Sequence, residues 1–227
     1  MIKADHKAYA HFLIRNYINY NLKHSFHSIG LIGEMPKPDP GLPLIITPNH
    51  FSWWDGFFGY YLNEKLFHRK FHIMMLERQL RKYPLFAKCG AFSIDPASMR
   101  SYIATFRYVH ELIAQYGGNF LLYYYPQGEM KFHREPIEFR RGIEKLVIAL
   151  DRPVGLMTLA VRVELTTEQF PDIYIKFGEL RRCDKSNAPT ADNLAAEISQ
   201  NLESIDCSII AGESQTILMS GRKTAGS

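Results

Sequence analysis

The stretch Thr47-Pro48-Asn49-His50-Phe51-Ser52-Trp53-Trp54-Asp55-Gly56 sets an imidazole and a carboxylate five positions apart, with both tryptophans of the chain between them. On a continuous helix that offset leaves the two side chains off a common face. On a strand it sends them to opposite faces. They meet only if residues 50–54 turn, and Pro48 and Gly56 bracket such a turn. Asp55 then falls near the N-cap of the next helix, a position that Asp favours, and can accept a hydrogen bond from one nitrogen of His50. An imidazole oriented in this way is a general base. The same residues admit a plainer reading, a histidine packed among aromatics and an aspartate that only caps a helix.

Holding that turn requires a strand before it and a helix after it. Leu44-Ile45-Ile46 supplies a short buried run, and residues 56–66 an aromatic-rich helix. The pattern then alternates: strands are expected over 44–47, 71–76, 90–94, 119–125, 154–163 and 172–177, and helices over 98–115, 140–150 and 191–206, with another broken near Pro84. Such alternation predicts an α/β fold, a mostly parallel sheet covered by helices on both faces. Ahead of it, residues 5–27 lack Gly and Pro and space Tyr9, Phe12, Leu13, Tyr17, Ile18 and Leu22 at near-helical intervals. With Lys3, Lys7, Arg15, Lys23 and four histidines against Asp5 alone, this is a basic amphipathic helix, suited to a membrane interface or to packing on the domain. The division expected is an N-terminal helix over 1–30, a domain over 31–211 and a flexible tail over 212–227.

The chain's 227 residues, 46% hydrophobic and 22% charged, are an ordinary globular composition for one domain with an appendage. A net charge of +4 with no Lys/Arg-rich run argues against nucleic acid and suits an anionic membrane surface or a phosphorylated cosubstrate. Cys89, Cys183 and Cys207 lack metal spacing and leave an odd count, which points to a reducing compartment. No stretch approaches the roughly 20 apolar residues of a spanning helix, and the N-terminus has no signal-peptide core. These features together place the protein in the cytoplasm, peripheral on the inner face of the cell membrane. His68 and His72 lie four apart but have no acidic or Cys partner nearby, so a structural or surface role is expected and no metal.

The string Asn-His-x-Ser-x-x-Asp-Gly after a short buried strand resembles the signature block of the glycerolipid (1-acylglycerol-3-phosphate-type) acyltransferases, with His50 and Asp55 on the His-x4-Asp positions. Four intervening residues set it apart from a second acyltransferase class with His-x3-Asp-Gly. Three further blocks resemble the family in order. Gly90-Ala91-Phe92-Ser93-Ile94-Asp95-Pro96 is similar to a block ending Ile-Asp-Arg, with Pro96 in the Arg position and Arg100 a turn later. Tyr125-Pro126-Gln127-Gly128-Glu129-Met130 is similar to Phe-Pro-Glu-Gly-Thr-Arg, with Gln127 for the acid and Met130 for the Arg; Phe139-Arg140-Arg141-Gly142 then resembles Phe-Lys-x-Gly. Pro153-Val154-Gly155-Leu156-Met157 resembles the fourth block. The likeness spans roughly residues 43–160.

The resemblance implies a glycerol-phosphate acyltransferase-like fold and acyl transfer from acyl-CoA or acyl carrier protein to a hydroxyl or amine of a lipid-like acceptor, with no cofactor beyond the cosubstrate. His50 would be the base and Asp55 its orienting acid. Asn49, Ser52, Tyr125, Pro126, Gln127, Gly128, Glu129 and Arg140 would contact substrate. Backbone amides around Gly128, where no Cβ obstructs a ligand, are oxyanion candidates, and Trp53, Trp54, Phe57, Phe58 and the Tyr123–Tyr125 strand are candidate walls of an acyl slot. Arg at the second and third blocks is implied to grip the acceptor's phosphate; Pro96 and Met130 cannot, so an acceptor other than glycerol 3-phosphate or lysophosphatidic acid is expected. The alternatives are a non-catalytic lipid-binding protein of the same fold and a thioesterase.

Overall fold

A computed structural model describes residues 1–222. Among them nine strands form one sheet: β1 (Ser28–Leu31), β2 (Leu44–Pro48), β3 (Lys70–Leu76), β4 (Ala91–Ile94), β5 (Phe120–Tyr123), β6 (Val154–Glu164), β7 (Asp172–Phe177), β8 (Arg181–Cys183) and β9 (Thr216–Ser220). The α-helices are α1 (Ala8–Ser25), α2 (Asp55–Leu62), α3 (Glu77–Lys82), α4 (Met99–Tyr116), α5 (Gly142–Ala149) and α6 (Ala191–Ala211). The sheet order is β4-β3-β5-β2-β6-β7-β1-β9, with β8 paired to the start of β6. Pairing is parallel from β4 through to β6 and between β1 and β7, and antiparallel for β6 with β7, β6 with β8, and β1 with β9. The fold is the expected mostly parallel sheet flanked by helices.

β2 lies between β5 and β6, and all five of its residues are buried. This double-sided burial is why Leu44-Ile45-Ile46 reads as a continuous apolar run with no alternation. Its side chains still divide by face. Ile45 joins the core under α4, α5 and α6, while Leu44 and Ile46 join the core under α1 and α2. The carboxyl end of this central strand delivers Asn49 and His50.

The expected division of the chain needs two corrections. The N-terminal segment is not a separate unit. Ala10, Ile14, Ile18 and Leu22, spaced four apart, are buried on the domain, and Ser28–Leu31 is β1 inside the sheet. Nor is the chain beyond Gly212 a free tail, since Thr216–Ser220 pairs antiparallel with β1 and Met219 enters the core. Residues 223–227 of the expected tail lie outside the described residues. Both strands were missed because each is short and finds its partner far away in sequence.

The other face of α1 exposes Tyr9, Phe12, Leu13, Tyr17 and Tyr20. Three of the four cations of the N-terminal segment are in ion pairs: Lys3 with Glu111 at 2.9 Å, Lys7 with Asp5 at 2.9 Å and Arg15 with Glu64 at 2.7 Å. The start of α1 is fastened through a chain of imidazoles. His72 Nδ1 lies 3.0 Å from the Lys70 carbonyl, His72 Nε2 3.2 Å from His6 Nε2, His6 Nδ1 2.9 Å from His11 Nε2, and His11 Nδ1 2.9 Å from the Tyr60 hydroxyl. A carbonyl only accepts, so His72 Nδ1 carries its proton, and the rest follows for neutral rings. Tyr60 donates to His11, His11 to His6, His6 to His72, and His72 to Lys70. Burial, with Lys70 nearby, pushes His6 down to about 3 and His72 to about 4 and lowers His11.

Candidate active site

The turn after β2 closes on the Asp55 carboxylate. Asp55 Oδ2 accepts from His50 Nδ1 at 2.7 Å, from the Phe51 N–H at 2.8 Å and from the Ser52 N–H at 3.0 Å. Asp55 opens α2 rather than capping it, where a carboxylate also favours the helix dipole. The Ser52 hydroxyl oxygen accepts from the Trp54 N–H at 3.0 Å and so helps to shape the turn. Because the Nδ1–H donates to Asp55, neutral His50 presents an unprotonated Nε2. Burial pushes the Asp55 carboxyl upward, against the lowering effect of His50 and the two N–H groups. The phenol of Tyr125 covers the His50 ring, centroids 4.5 Å apart, and burial holds it well above its ordinary pKa, hence neutral.

His50 lines a cavity of about 1040 Å³. Its apolar body is formed by Ile14 and Ile18 of α1 with Phe57, Tyr60, Phe71 and Phe86. Of the expected walls, Trp53, Phe57, Tyr124 and Tyr125 line it. Phe58 and Tyr123 instead lie in the core beneath, and Trp54 packs against Phe26. Gly59 of α2 makes room for Tyr123, whose ring would lie 2.8 Å from a Cβ at that position. Pro96 and Met130, in place of the two arginines, both line the cavity as apolar surface.

The expected substrate contacts divide into two groups. Ser52, Tyr125, Pro126, Gly128, Glu129 and Arg140 line the cavity. Asn49 and Gln127 do not, being buried with their carboxamides turned onto the backbone. Asn49 accepts from the Val161 N–H at 2.8 Å and donates to the Val161 carbonyl at 3.0 Å, and Gln127 bonds the His50 peptide. The Gly128 N–H is also spent, donating to the Tyr125 carbonyl at 3.1 Å within the turn, so it is not a free oxyanion donor. Gly128 has φ +76°, and a Cβ there would lie 3.1 Å from the Arg140 guanidinium, two reasons for glycine. Glu129 lies 3.3 Å from Lys131 and 3.6 Å from Arg140.

Sequence reasoning missed Arg78, Lys82 and Lys145, part of the charge around this cavity. Arg78 and Lys82 of α3, with Arg141 and Lys145 at the start of α5, are exposed and line it, and none is in an ion pair among the described residues. The spacing of Arg78 and Lys82, four apart on one helix face, was the available signal. The arginines lost at positions 96 and 130 therefore do not leave the cavity without cations.

The family profile described as Acyltransferase matches residues 28–160, more than half of the chain. Among solved structures the fold is similar to the crystal structure of the 1-acyl-sn-glycerophosphate (LPA) acyltransferase PlsC from Thermotoga maritima. The TM-score is 0.53 at 12% identity, over 86% of this chain and 76% of that one. No curated protein matches the sequence. A family match that runs from β1 through the His50–Asp55 turn and the Gly128 turn into β6 makes this chain an enzyme of the acyltransferase family.

Proposed function

We propose that the enzyme moves a fatty acyl group from acyl-CoA or acyl carrier protein to a hydroxyl or amine of a lipid-like acceptor, with His50 as general base and Asp55 as its orienting acid. The observation that carries this reading is the 2.7 Å contact between His50 Nδ1 and Asp55, on a ring that lines a large apolar cavity. The acceptor's oxygen or nitrogen attacks the thioester carbonyl while His50 Nε2 takes its proton. The new C–O or C–N bond forms, the C–S bond breaks, and the departing thiolate recovers the proton from His50. A thioester is already activated, so the reading needs neither a covalent enzyme intermediate nor a further cofactor. Such base assistance is worth about 10²–10⁴-fold.

Pro96 and Met130 offer an acceptor head group no side-chain donor, which favours a non-phosphorylated hydroxyl or amine. Arg78, Lys82, Arg141 and Lys145 are then free for the phosphates or acidic surface of the donor's carrier. The exposed aromatics of α1 continue toward the cavity through Tyr17, Phe57 and Trp53, with ring centroids 5.9 and 4.7 Å apart. That continuity supports docking on a membrane surface from which lipid enters, in keeping with a peripheral place on the inner face of the cell membrane. No helix among the described residues is long and apolar enough to cross a membrane.

The test is to incubate the purified protein with an acyl-thioester and a mixture of lysophosphatidic acid, lyso-aminolipid, glycolipid and hydroxylated isoprenoid. Acylated acceptor is the expected product. Free fatty acid alone would make it a thioesterase, and no thioester cleavage a binding protein. Wide preference for lysophosphatidic acid would overturn the acceptor proposal and leave the reaction standing.

A further inference from the structure

We propose that Gln127 is a positioning residue for His50, its carboxamide gripping the peptide groups of the base on both sides; this rests on reading His50 as the base. Gln127 is 5% exposed. Its Oε1 accepts from the His50 N–H and its Nε2 donates to the His50 carbonyl at 3.4 Å. The Lys131 N–H donates to the same carbonyl at 3.0 Å.

The need for such a grip follows from where the strands end. β2 gives out at Pro48, and β5, its neighbour on one side, at Tyr123, so His50 has no strand partner there for its half-buried peptide groups. Half-buried peptide groups that lose the ladder still need partners. Two successive carboxamides take the ladder's place. The side chain of Asn49 pairs with both backbone groups of Val161 in β6, and that of Gln127 pairs with both backbone groups of His50. The base is thereby tied to β6 on one side and to the Gly128 turn on the other. Asp55 fixes the ring and Gln127 fixes the peptide that carries it.

A carboxamide suits this task because it holds a donor and an acceptor together, whereas an ionised carboxylate only accepts. Glutamate, the residue of the block that this stretch resembles, would face the His50 carbonyl with an oxygen and bring a negative charge beside the base. The amide at position 127 therefore fits the geometry of this chain.

The experiment compares wild type with Gln127→Met, which keeps the shape and loses both bonds, and Gln127→Glu, which keeps only the acceptor. Amide exchange at His50, followed by NMR, reads the grip whatever the reaction, and kinetics at several pH values read its effect on the base. Gln127→Met is expected to lose protection at the His50 amide and about 10- to 10²-fold in kcat, with KM unchanged. In Gln127→Glu, or if Gln127→Met does not fold, the acid limb of the kcat profile is expected to move to higher pH, because an added carboxylate favours the imidazolium. Unchanged His50 protection and kcat in Gln127→Met, or an unmoved profile in Gln127→Glu, would overturn the proposal. Lost protection in Gln127→Met beside full turnover in His50→Ala would uphold the grip and remove the base assignment instead.

Discussion

The imidazole chain at the start of α1 makes stability depend on pH in a way that one substitution isolates. His72 is fully buried, and its folded-state pKa is about 4 against an ordinary 6.5. Below about pH 6.5 the unfolded chain takes up a proton there that the folded protein refuses until about pH 4. The contribution of His72 to stability is therefore flat above 6.5 and falls as the pH drops through that window. Between pH 6.5 and 5 the loss is 1.5 pH units, about 2 kcal/mol from His72 alone at about 1.36 kcal/mol per unit. In a chain of this size that corresponds to about 4–8 °C in Tm. His6 and His11 add in the same direction. Among the charges facing them, Lys70 deepens the depression of both and Arg15 that of His11, while Asp5 opposes it at His6 and Glu64 at His11. His72→Leu orphans the His6 Nε2–H and is less stable at pH 7, but its loss on acidification should be smaller than that of wild type by about 2 kcal/mol. Urea unfolding of both proteins at pH 7 and 5 measures this difference. Equal slopes, or a wild type unaffected by acid, would refute the directed chain of neutral imidazoles.

Three further outcomes are expected. Asp55→Asn leaves the turn amenable to the Phe51 and Ser52 N–H groups but removes the charge that fixes the His50 tautomer, so steady-state turnover should fall by about 10²-fold or more; near-normal turnover would contradict the orienting role. Gly59→Val forces a Cβ to within 2.8 Å of the Tyr123 ring and should cost about 1–3 kcal/mol of stability, read as a lowered melting midpoint; an unchanged midpoint would contradict the packing of α2 on β5. Phe12→Ser and Tyr20→Ser alter exposed rings and should leave the melting midpoint in place while lowering sedimentation with anionic vesicles by about tenfold each; undiminished vesicle binding would assign the exposed face of α1 another task.

The core of the site was legible because its signals are local. Proline, glycine and an acid within a few residues of His50 define a turn, and the apolar runs at 44–46, 71–76 and 154–163 are long enough or apolar enough to declare buried strands. The order of those strands was not legible, since parallel neighbours are joined by crossovers whose targets no local pattern names. β1, β8 and β9 escaped for a related reason. Each has three to five residues, too few for a period to show. Polar side chains misled in one consistent way. Asn49 and Gln127 lie within motif blocks and look like substrate contacts, yet the structure uses both to finish the hydrogen-bonding of strands that end at the site. His6, His11 and His72 become one feature only in three dimensions, because 66 positions separate His6 from His72.

The central claim is that His50 removes the acceptor's proton, and His50→Ala tests it most directly. The imidazole is 25% exposed and Asp55 keeps the Phe51 and Ser52 N–H groups without it, so the variant should fold, with a lowered melting midpoint for the lost bond to buried Asp55. Turnover of acyl-thioester with acceptor, measured as release of free thiol, should fall by about 10²–10⁴-fold in the folded variant. A folded His50→Ala enzyme that still transfers acyl groups at close to the wild-type rate would contradict the account.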